Sequence, residues 1–559
     1  MKKTLLILSL GMSLSGLCAQ EQSDTVNVER QINIEKEYTP EIKDLKRRPI
    51  TYEVEEFTAP GAEIEYSNYI INVAPESQFS PVEAEALGIA KMRKPKDGFA
   101  EIGLGFNMNW QAEGYYKILD NEINDLDVHV GHWGTYWGEG SKRNPKVDIR
   151  TLVDFDFSHL TENGHLLSAN AQYRNNYYSF YGQDFFNWDS LGQAGQFQCR
   201  HILNLEFGSK SVKSIKKEWD YTVDGGMRMN NFQYLRTTQF NVFAEGHGFK
   251  RFGAHQIELM LRGEGIIYSG ENVNAKGNAI VELAPYYNFN NHWLDAHVGV
   301  RLLTSCLRDK VFYAMPDVNF TFHTHKMVWI NLNVTGDYAS NSLANMVDIC
   351  PYARLTDDGI DTYTPVDAKL GVTVMPVGGL SINAGFEYKY VMNDRFFRNE
   401  IIDDIAYSRY FVLDKHTTHN MIPYLTASYT YKDRYRVFAN FRYWYGSNAK
   451  DDATLYWNCP AWELHTGIEI QPINDLNIGL NYYFASGMMR MLGPNVIESA
   501  NLPDIHDLNI SASYLIKKKV TVFVNANNIL GSIDRLRWST WNGYESMGFN
   551  MVFGARMAF

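Results

Sequence analysis

The feature that most constrains this chain is a strict alternation of apolar and polar residues that runs to its last residue. Between residues 548 and 559 every second position is apolar, and the positions between are mostly small or polar. Successive side chains of a strand point to opposite faces, so the segment predicts a strand with one continuous apolar face. Such a face suits contact with lipid, although a strand of a soluble sandwich also alternates. The apolar positions are Phe549, Met551, Phe553, Ala555, Met557 and Phe559.

The same alternation recurs from Gly98 onward, with charges of both signs on the polar face. Val366, Ala368 and Leu370, for example, alternate with Asp367 and Lys369. Charges on the inner face of a packed soluble core carry a large desolvation cost, whereas a water-filled lumen tolerates them. The chain is therefore predicted to be all-β and to form a transmembrane antiparallel β-barrel.

The number of strands follows from the spacing of these alternating runs and of the connections between them. Between 22 and 23 apolar/polar runs can be marked, the doubtful one covering residues 405–413. A barrel with both ends on one side of the membrane needs an even number of strands. Short turns alternate with longer connections throughout only if residues 392–416 are one extracellular excursion, which predicts about 22 strands. The short periplasmic turns are expected near Asn121, Thr161, Lys213, Lys250, Phe289, Thr324, Val377, Lys432, Ile473 and Lys517.

The N-terminus predicts export. Lys2 and Lys3 precede an apolar run over residues 5–17, so residues 1–19 read as a signal peptide cleaved after Ala19. Cys18 raises the alternative of a lipoprotein, but Leu17 occupies the position where such a site needs a small residue. No later segment is long and apolar enough to cross a membrane as a helix.

Composition limits the function classes. The formal net charge of -12 argues against a nucleic-acid partner. An aromatic share of 14% with negative mean hydropathy suits a barrel with an aromatic outer band and a polar lumen. A secreted, aromatic-rich carbohydrate-binding protein is the alternative. Neither a nucleophile motif nor a zinc-type spacing occurs in a suitable context, so no enzyme activity, cofactor or metal is expected.

Four cysteines remain after the signal peptide. They are widely spaced, and an exported protein permits disulfides. Cys350 with Cys459 is the pair to test, and packing as unpaired thiols is the alternative. The four are Cys199, Cys306, Cys350 and Cys459.

The last tenth of the chain carries a family resemblance. Residues 507–531, DLNISASYLIKKKVTVFVNANNILG, are followed by a loop with Asn542, Gly543 and Tyr544 and by a strand that ends in Phe559. This arrangement resembles the barrel terminus of TonB-dependent outer-membrane receptors of Bacteroidota type. The resemblance implies an outer-membrane location, contact with outer-membrane lipid, a barrel over residues 98–559, and solute binding or transport.

The segment before the barrel departs from that family. Residues 20–97 are highly charged and proline-interrupted, and their 78 or so positions are too few for the receptors' globular plug. We expect a reduced or missing plug that lies in the periplasm or in the lumen. A second hypothesis is a non-transporting barrel that serves as a subunit or scaffold of an outer-membrane protein complex.

A short stretch in this segment is similar to the box through which such receptors contact TonB. Such a box pairs edge to edge with a partner strand, which implies TonB as a partner. A plain flexible tail is the alternative. The residues are Asp24, Thr25, Val26, Asn27 and Val28.

Aromatic and basic clusters in the predicted extracellular loops are the candidate binding residues. Loops carry specificity in barrels, and exposed apolar patches suggest a solute or a partner such as a surface lipoprotein or another subunit of an outer-membrane complex. The alternative is that these residues pack loop on loop over the mouth of the barrel. They are Tyr181, Phe185, Phe186 and Trp188 in one loop, and Arg395, Phe396, Phe397 and Arg398 in another.

Overall fold

A computed structural model of the chain describes residues 97–106, 108–137, 146–182, 197–212, 219–270, 277–307, 311–353, 361–402, 406–448, 458–493, 496–533, 538–546 and 548–559. The predicted signal peptide, the TonB-box-like residues Asp24, Thr25, Val26, Asn27 and Val28, and almost all of segment 20–97 lie outside the described residues.

The described residues form 25 strands, one short α-helix and one 3-10 turn. The helix is α1 (Leu343–Ile349), and the 3-10 turn is Ile529–Ser532. The strands are β1 (Gly98–Gly105), β2 (Trp110–Asp120), β3 (Asn124–Trp137), β4 (Lys146–Leu160), β5 (His165–Ser179), β6 (Phe197–Ser211), β7 (Asp220–Phe232), β8 (Thr237–Phe252), β9 (His255–Gly270), β10 (Asn278–Asn290), β11 (Leu294–Ser305), β12 (Phe312–His325), β13 (Val328–Ala339), β14 (Thr362–Val374), β15 (Leu380–Ile402), β16 (Ala406–Tyr431), β17 (Tyr435–Tyr443), β18 (Tyr445–Asn448), β19 (Trp462–Ile473), β20 (Leu476–Ser486), β21 (Met489–Gly493), β22 (Val496–Asn501), β23 (Ile505–Ile516), β24 (Val520–Asn527) and β25 (Asn550–Ala558).

Twenty-three of these segments form the 22 wall strands of one closed barrel. β17 and β18 are two parts of one wall strand interrupted at Trp444, and β21 and β22 pair only with each other. The remaining strands pair antiparallel with their neighbours in chain order. β1 closes the barrel against β25: the Gly98 N–H donates to the Phe559 carbonyl at 3.0 Å, and the Phe559 N–H donates back at 2.9 Å. The predicted all-β fold with 22 strands is confirmed.

The doubtful segment belongs to a long hairpin. β15 and β16 stay paired from the Leu380↔Tyr429 position to the Ile402↔Ala406 position. Residues 392–416 therefore extend two wall strands beyond the barrel rim as one excursion. Most of residues 405–413 belong to β16 and add no strand to the wall.

The two faces of the wall are sorted as the alternation predicts. Leu104 is 66% exposed and Phe553 is 51% exposed on the outer face, where they pair with each other across the closing seam. Glu101, on the opposite face of β1, is buried and accepts a hydrogen bond from Arg556 Nε at 2.5 Å. The outer face thus offers apolar side chains to lipid, and charges lie inside. No helix among the described residues is long and apolar enough to span a membrane.

Charged inner-wall residues neutralise one another across neighbouring strands. On β14 and β15, Lys389 Nζ lies 2.7 Å from Glu387 Oε1 and 3.3 Å from Asp367 Oδ2. Lys369 Nζ lies 3.6 Å from the same Glu387 oxygen. Ion pairing of this kind lets the wall carry charges of both signs at low cost.

The two ends of the barrel differ. Short connections, such as residues 121–123, 253–254 and 517–519, lie at one end, here called the turn end. Nine of the ten predicted short turns fall there, within a few residues of their predicted positions, and the tenth, near Lys213, lies outside the described residues. Longer connections lie at the opposite end, the loop end. In outer-membrane barrels short turns face the periplasm and longer loops face the outside.

Candidate binding site at the loop end

Four loops meet in a buried aromatic cluster at the loop end, here called the aromatic cap. They are the β5–β6 loop, the β13–β14 loop, the tip of the β15–β16 hairpin and the β24–β25 loop. Each side chain in the cluster is buried although each belongs to a loop or to a hairpin beyond the rim. The members are Phe180, Tyr181, Tyr352, Phe397, Phe411, Trp541 and Tyr544.

Ring contacts hold the aromatic cap together. Tyr352 stacks on Tyr544 with ring centroids 3.5 Å apart and an interplanar angle of 20°. Tyr181 meets Tyr544 edge-on at 4.8 Å, and Phe411 meets Trp541 edge-on at 5.3 Å. Aromatic pairs in such arrangements contribute about 0.5–1.5 kcal/mol each beyond their buried area. The cap is therefore a packed core and not a set of independent loops.

The loops meet by crossing the mouth of the barrel. β5 and β13 are eight wall strands apart. With about 4.8 Å between strands that tilt by about 40°, eight wall strands cover roughly 50 Å of circumference. Yet the Tyr178 hydroxyl, at the end of β5, donates to the Pro351 carbonyl of the β13–β14 loop at 2.9 Å. The β13–β14 loop must therefore reach inward over the lumen.

Two of the predicted loop-binding residues, Tyr181 and Phe397, belong to the aromatic cap. Tyr181, Phe396 and Phe397 are buried, and the Tyr181 hydroxyl donates to the Glu545 carbonyl at 3.2 Å. Arg395 and Arg398 are half-buried on the β15–β16 hairpin, with Arg398 Nε 3.6 Å from an oxygen of Asp414. A direct role of these residues in binding stays a prediction. Phe185, Phe186 and Trp188 lie outside the described residues.

Helix α1 anchors the β13–β14 loop to the inner wall. It begins at Ser342, whose hydroxyl accepts the Asn345 N–H at 3.3 Å as an N-cap. The N–H of Ala344 donates to Gln239 Oε1 of β8 at 2.9 Å. The apolar side of the helix packs on wall residues of β7 and β9 and on the β7–β8 loop. The contacting side chains are Leu343, Ala344 and Val347 of the loop, with Phe232, Leu235 and Tyr268 of the wall.

A buried arginine lies directly beneath α1. Arg200 of β6 donates from Nε and Nη2 to Asn230 Oδ1 at 3.1 and 2.7 Å, and its guanidinium lies 5.1 Å from the centre of the Phe232 ring. Its Nη1 donates to Asp348 Oδ1 of α1 at 2.5 Å. Sequence reasoning missed this pair. The alternation places Arg200 on the inner face, but no local signal tells which loop residue will reach it.

The described residues offer no evident metal site or disulfide. Among them no three His, Cys, Asp or Glu side chains are arranged to hold a metal ion. All four cysteines are thiols, so no bond joins Cys350 to Cys459.

Comparison with solved structures identifies the fold. The siderophore receptor PirA of Acinetobacter baumannii matches with a TM-score of 0.65 at 8% identity, covering 84% of this chain and 81% of the receptor. The FrpB iron transporter of Neisseria meningitidis matches at 0.63 and 10% identity, covering 84% and 82%. A ferric enterobactin receptor of Pseudomonas aeruginosa matches at 0.62 and 11%, covering 83% and 80%. No family model and no curated protein matches the chain.

These matches show that the chain has the barrel fold of outer-membrane receptors. The predicted likeness to the TonB-dependent receptor barrel is confirmed at the level of fold. The closed 22-strand wall with its apolar outer face places the chain in the outer membrane.

Proposed function

We propose that this chain is an outer-membrane receptor that binds a solute at its loop end and passes it through the lumen. The observation that carries the proposal is the inner wall, where ion-paired charges of both signs line the barrel beneath a packed cap. A wall of this kind keeps water and polar solutes in contact with the protein across the membrane. The solved structures that share the fold are two receptors and an iron transporter, which supports a role in import. The proposal assigns the chain no catalysis.

The proposal includes TonB as the energy-coupling partner, through residues 24–28, and a reduced plug formed by residues 20–97. The motivating observation is the similarity of the stretch from Asp24 to Val28 to the coupling box. Such a box acts by strand pairing through its backbone N–H and C=O groups. A surface lipoprotein is a further proposed partner, which would contact the loop end.

Proline replacement in the box tests the proposal. Val26→Pro removes a backbone N–H and disfavours strand pairing, whereas Val26→Ala keeps the backbone donor. We expect cells that depend on this chain for growth on a sole carbon, phosphorus or iron source to lose that growth with Val26→Pro and with deletion of residues 24–28. Val26→Ala should grow like the wild type.

A second function is favoured by the aromatic cap. Because four loops cross the mouth as one packed core, the chain could instead serve as a closed barrel subunit of an outer-membrane complex. Under this alternative neither Val26→Pro nor the deletion changes growth on any source, and the chain co-purifies with another outer-membrane protein. That combination would overturn the proposal of import.

A further inference from the structure

Three arginines lie on adjacent strands of the inner wall, and one of them, Arg200, contacts α1. Arg174 of β5 pairs in register with Ile202 of β6, two positions from Arg200, and Arg228 of β7 pairs with Asn204 of the same strand. Each arginine is an odd number of positions from an exposed apolar residue of its own strand, so each faces the lumen. These outward residues are Leu167 on β5, Phe207 on β6 and Val223 on β7.

Arg174 has unused donors. Its side chain is exposed to the lumen and makes no hydrogen bond or ion pair with the described part of the chain. On the neighbouring strand it lies two register positions from Arg200, the partner of Asp348. Arg228, in contrast, has partners: its Nε donates to Asn204 at 3.0 Å, and its Nη2 lies 3.8 Å from Glu206.

Arg200 and Asp348 differ in their surroundings. The Arg200 side chain is 5% exposed, whereas the Asp348 side chain is 62% exposed, although the two are in direct contact. The buried cation is fixed by Asn230 and by the Phe232 ring. Its carboxylate partner is reached by water and is held in place by a loop. Asp348 is therefore the member of the pair that another anion can replace.

Replacement of Asp348 would act on the aromatic cap. Asp348 lies four residues before Tyr352, the residue that stacks on Tyr544. The charged pairs Arg301–Glu282 and Lys389–Asp367 join one wall strand to another, but Arg200–Asp348 joins the wall to a cap loop. Loss of that ion pair would remove a restraint on the loop that carries Tyr352.

We infer that Arg200 and Arg174 form an anion-binding site that Asp348 occupies in the closed receptor, and that a solute bearing carboxylates or phosphate displaces Asp348 when it binds. The inference rests on the proposed function and names the chemistry of its solute. Guanidinium groups bind carboxylate and phosphate oxygens through paired hydrogen bonds. A solute with two or more negative charges can engage both arginines, whereas Asp348 has a single carboxylate, which accepts from Arg200.

Calorimetric titration of the full chain in lipid nanodiscs tests the site, with citrate and inorganic phosphate as separate probes at constant ionic strength. Asp348→Asn removes the competing charge and should tighten binding of at least one probe by about ten-fold. Adding Arg174→Gln to Asp348→Asn should abolish that gain. Arg442→Gln is the matched control, because Arg442 is also exposed on the inner face but belongs to β17.

The outcomes separate the chemistries and the hypotheses. A gain with citrate alone assigns carboxylate, and a gain with phosphate alone assigns phosphate. The inference is overturned if Asp348→Asn binds neither probe more tightly than the wild type. It is also overturned if Arg442→Gln, added to Asp348→Asn, abolishes the gain in binding as Arg174→Gln does. Because Arg174 is exposed, its variant avoids the folding defect that replacing buried Arg200 could cause.

Failure here differs from failure of the proposed function. If Val26→Pro abolishes growth but Asp348→Asn has no effect on either probe, import stands and the anion site falls. If Asp348→Asn binds a probe more tightly but Val26→Pro grows normally, the anion site stands and energised import falls.

Discussion

Cys306 and Cys459 show how the surroundings of single residues at the loop end differ. Cys306 is exposed in the β11–β12 loop, whereas Cys459 is partly buried in the loop before β19. Burial of the Cys459 thiol raises its pKa to about 12, and the charges of Asp394 and Glu463 add to the effect. The thiolate is the reactive form of cysteine, so the two thiols should react at different rates.

Alkylation with iodoacetamide at pH 8 should therefore modify Cys306 and spare Cys459. With a pKa of about 12, only about one Cys459 thiol in ten thousand is ionised at that pH. Mass spectrometry of the digested protein measures both sites in one sample, with the denatured protein as the control in which both react. Equal modification of both in the folded protein would contradict the burial of Cys459.

At the scale of elements, the seam between the first and last strands depends on close backbone approach. Gly554 of β25 lies between Gly103 of β1 and Phe523 of β24. A Cβ at Gly554 would lie 2.1 Å from the Phe523 ring and 2.6 Å from the Ile102 carbonyl oxygen. The ring of Phe523 thus fills the space that a side chain at residue 554 would need.

Gly554→Ala should destabilise the barrel by about 1–3 kcal/mol, because both the ring and the backbone would have to move. The change is measured as a shift in urea-induced unfolding of the protein in detergent. Ala555→Val is the control, since Ala555 is exposed on the lipid-facing side of the same strand. Equal stability of Gly554→Ala and wild type would show that the seam is looser than the structure indicates.

At the scale of the whole molecule, the aromatic cap joins loops from opposite sides of the barrel. Tyr544 contacts Tyr181, Tyr352 and Phe411, which belong to three other loops. The wall below is held by its own strand pairing and does not need these contacts. The cap and the wall should therefore lose structure separately.

Tyr544→Ala should open the aromatic cap at a cost of about 3–5 kcal/mol in packing and leave the wall intact. We expect subtilisin to cleave the loops faster in this variant, while thermal unfolding of the barrel strands, followed by circular dichroism, stays unchanged. Tyr445→Ala is the control, because Tyr445 is also at the loop end but is exposed. Cleavage no faster than in this control would show that the loops do not depend on one another.

The features that the sequence predicted and the features that it missed differ in how far apart in sequence the interacting residues are. Alternation identified the outward side of β1, β14, β15 and β25, and parity selected 22 strands. It did not predict the break at Trp444, between β17 and β18. At this residue the backbone N–H donates to the Ala461 carbonyl at 2.7 Å, and the indole Nε1 donates to Asn420 at 3.0 Å. Nor did it predict α1, whose seven residues are too few to show a helical period.

The sequence by itself determined the wall, because a strand's inward and outward faces follow from a period of two residues. Only the tertiary structure decided the site. Arg200 and Asp348 are 148 residues apart in sequence, and Tyr178 and Pro351 are 173 apart. Contacts over such distances have no repeating pattern, since they depend on which loops reach across the closed barrel. The charges that face the lumen can therefore be read from the chain, but the partner that each one meets is set by closure of the barrel.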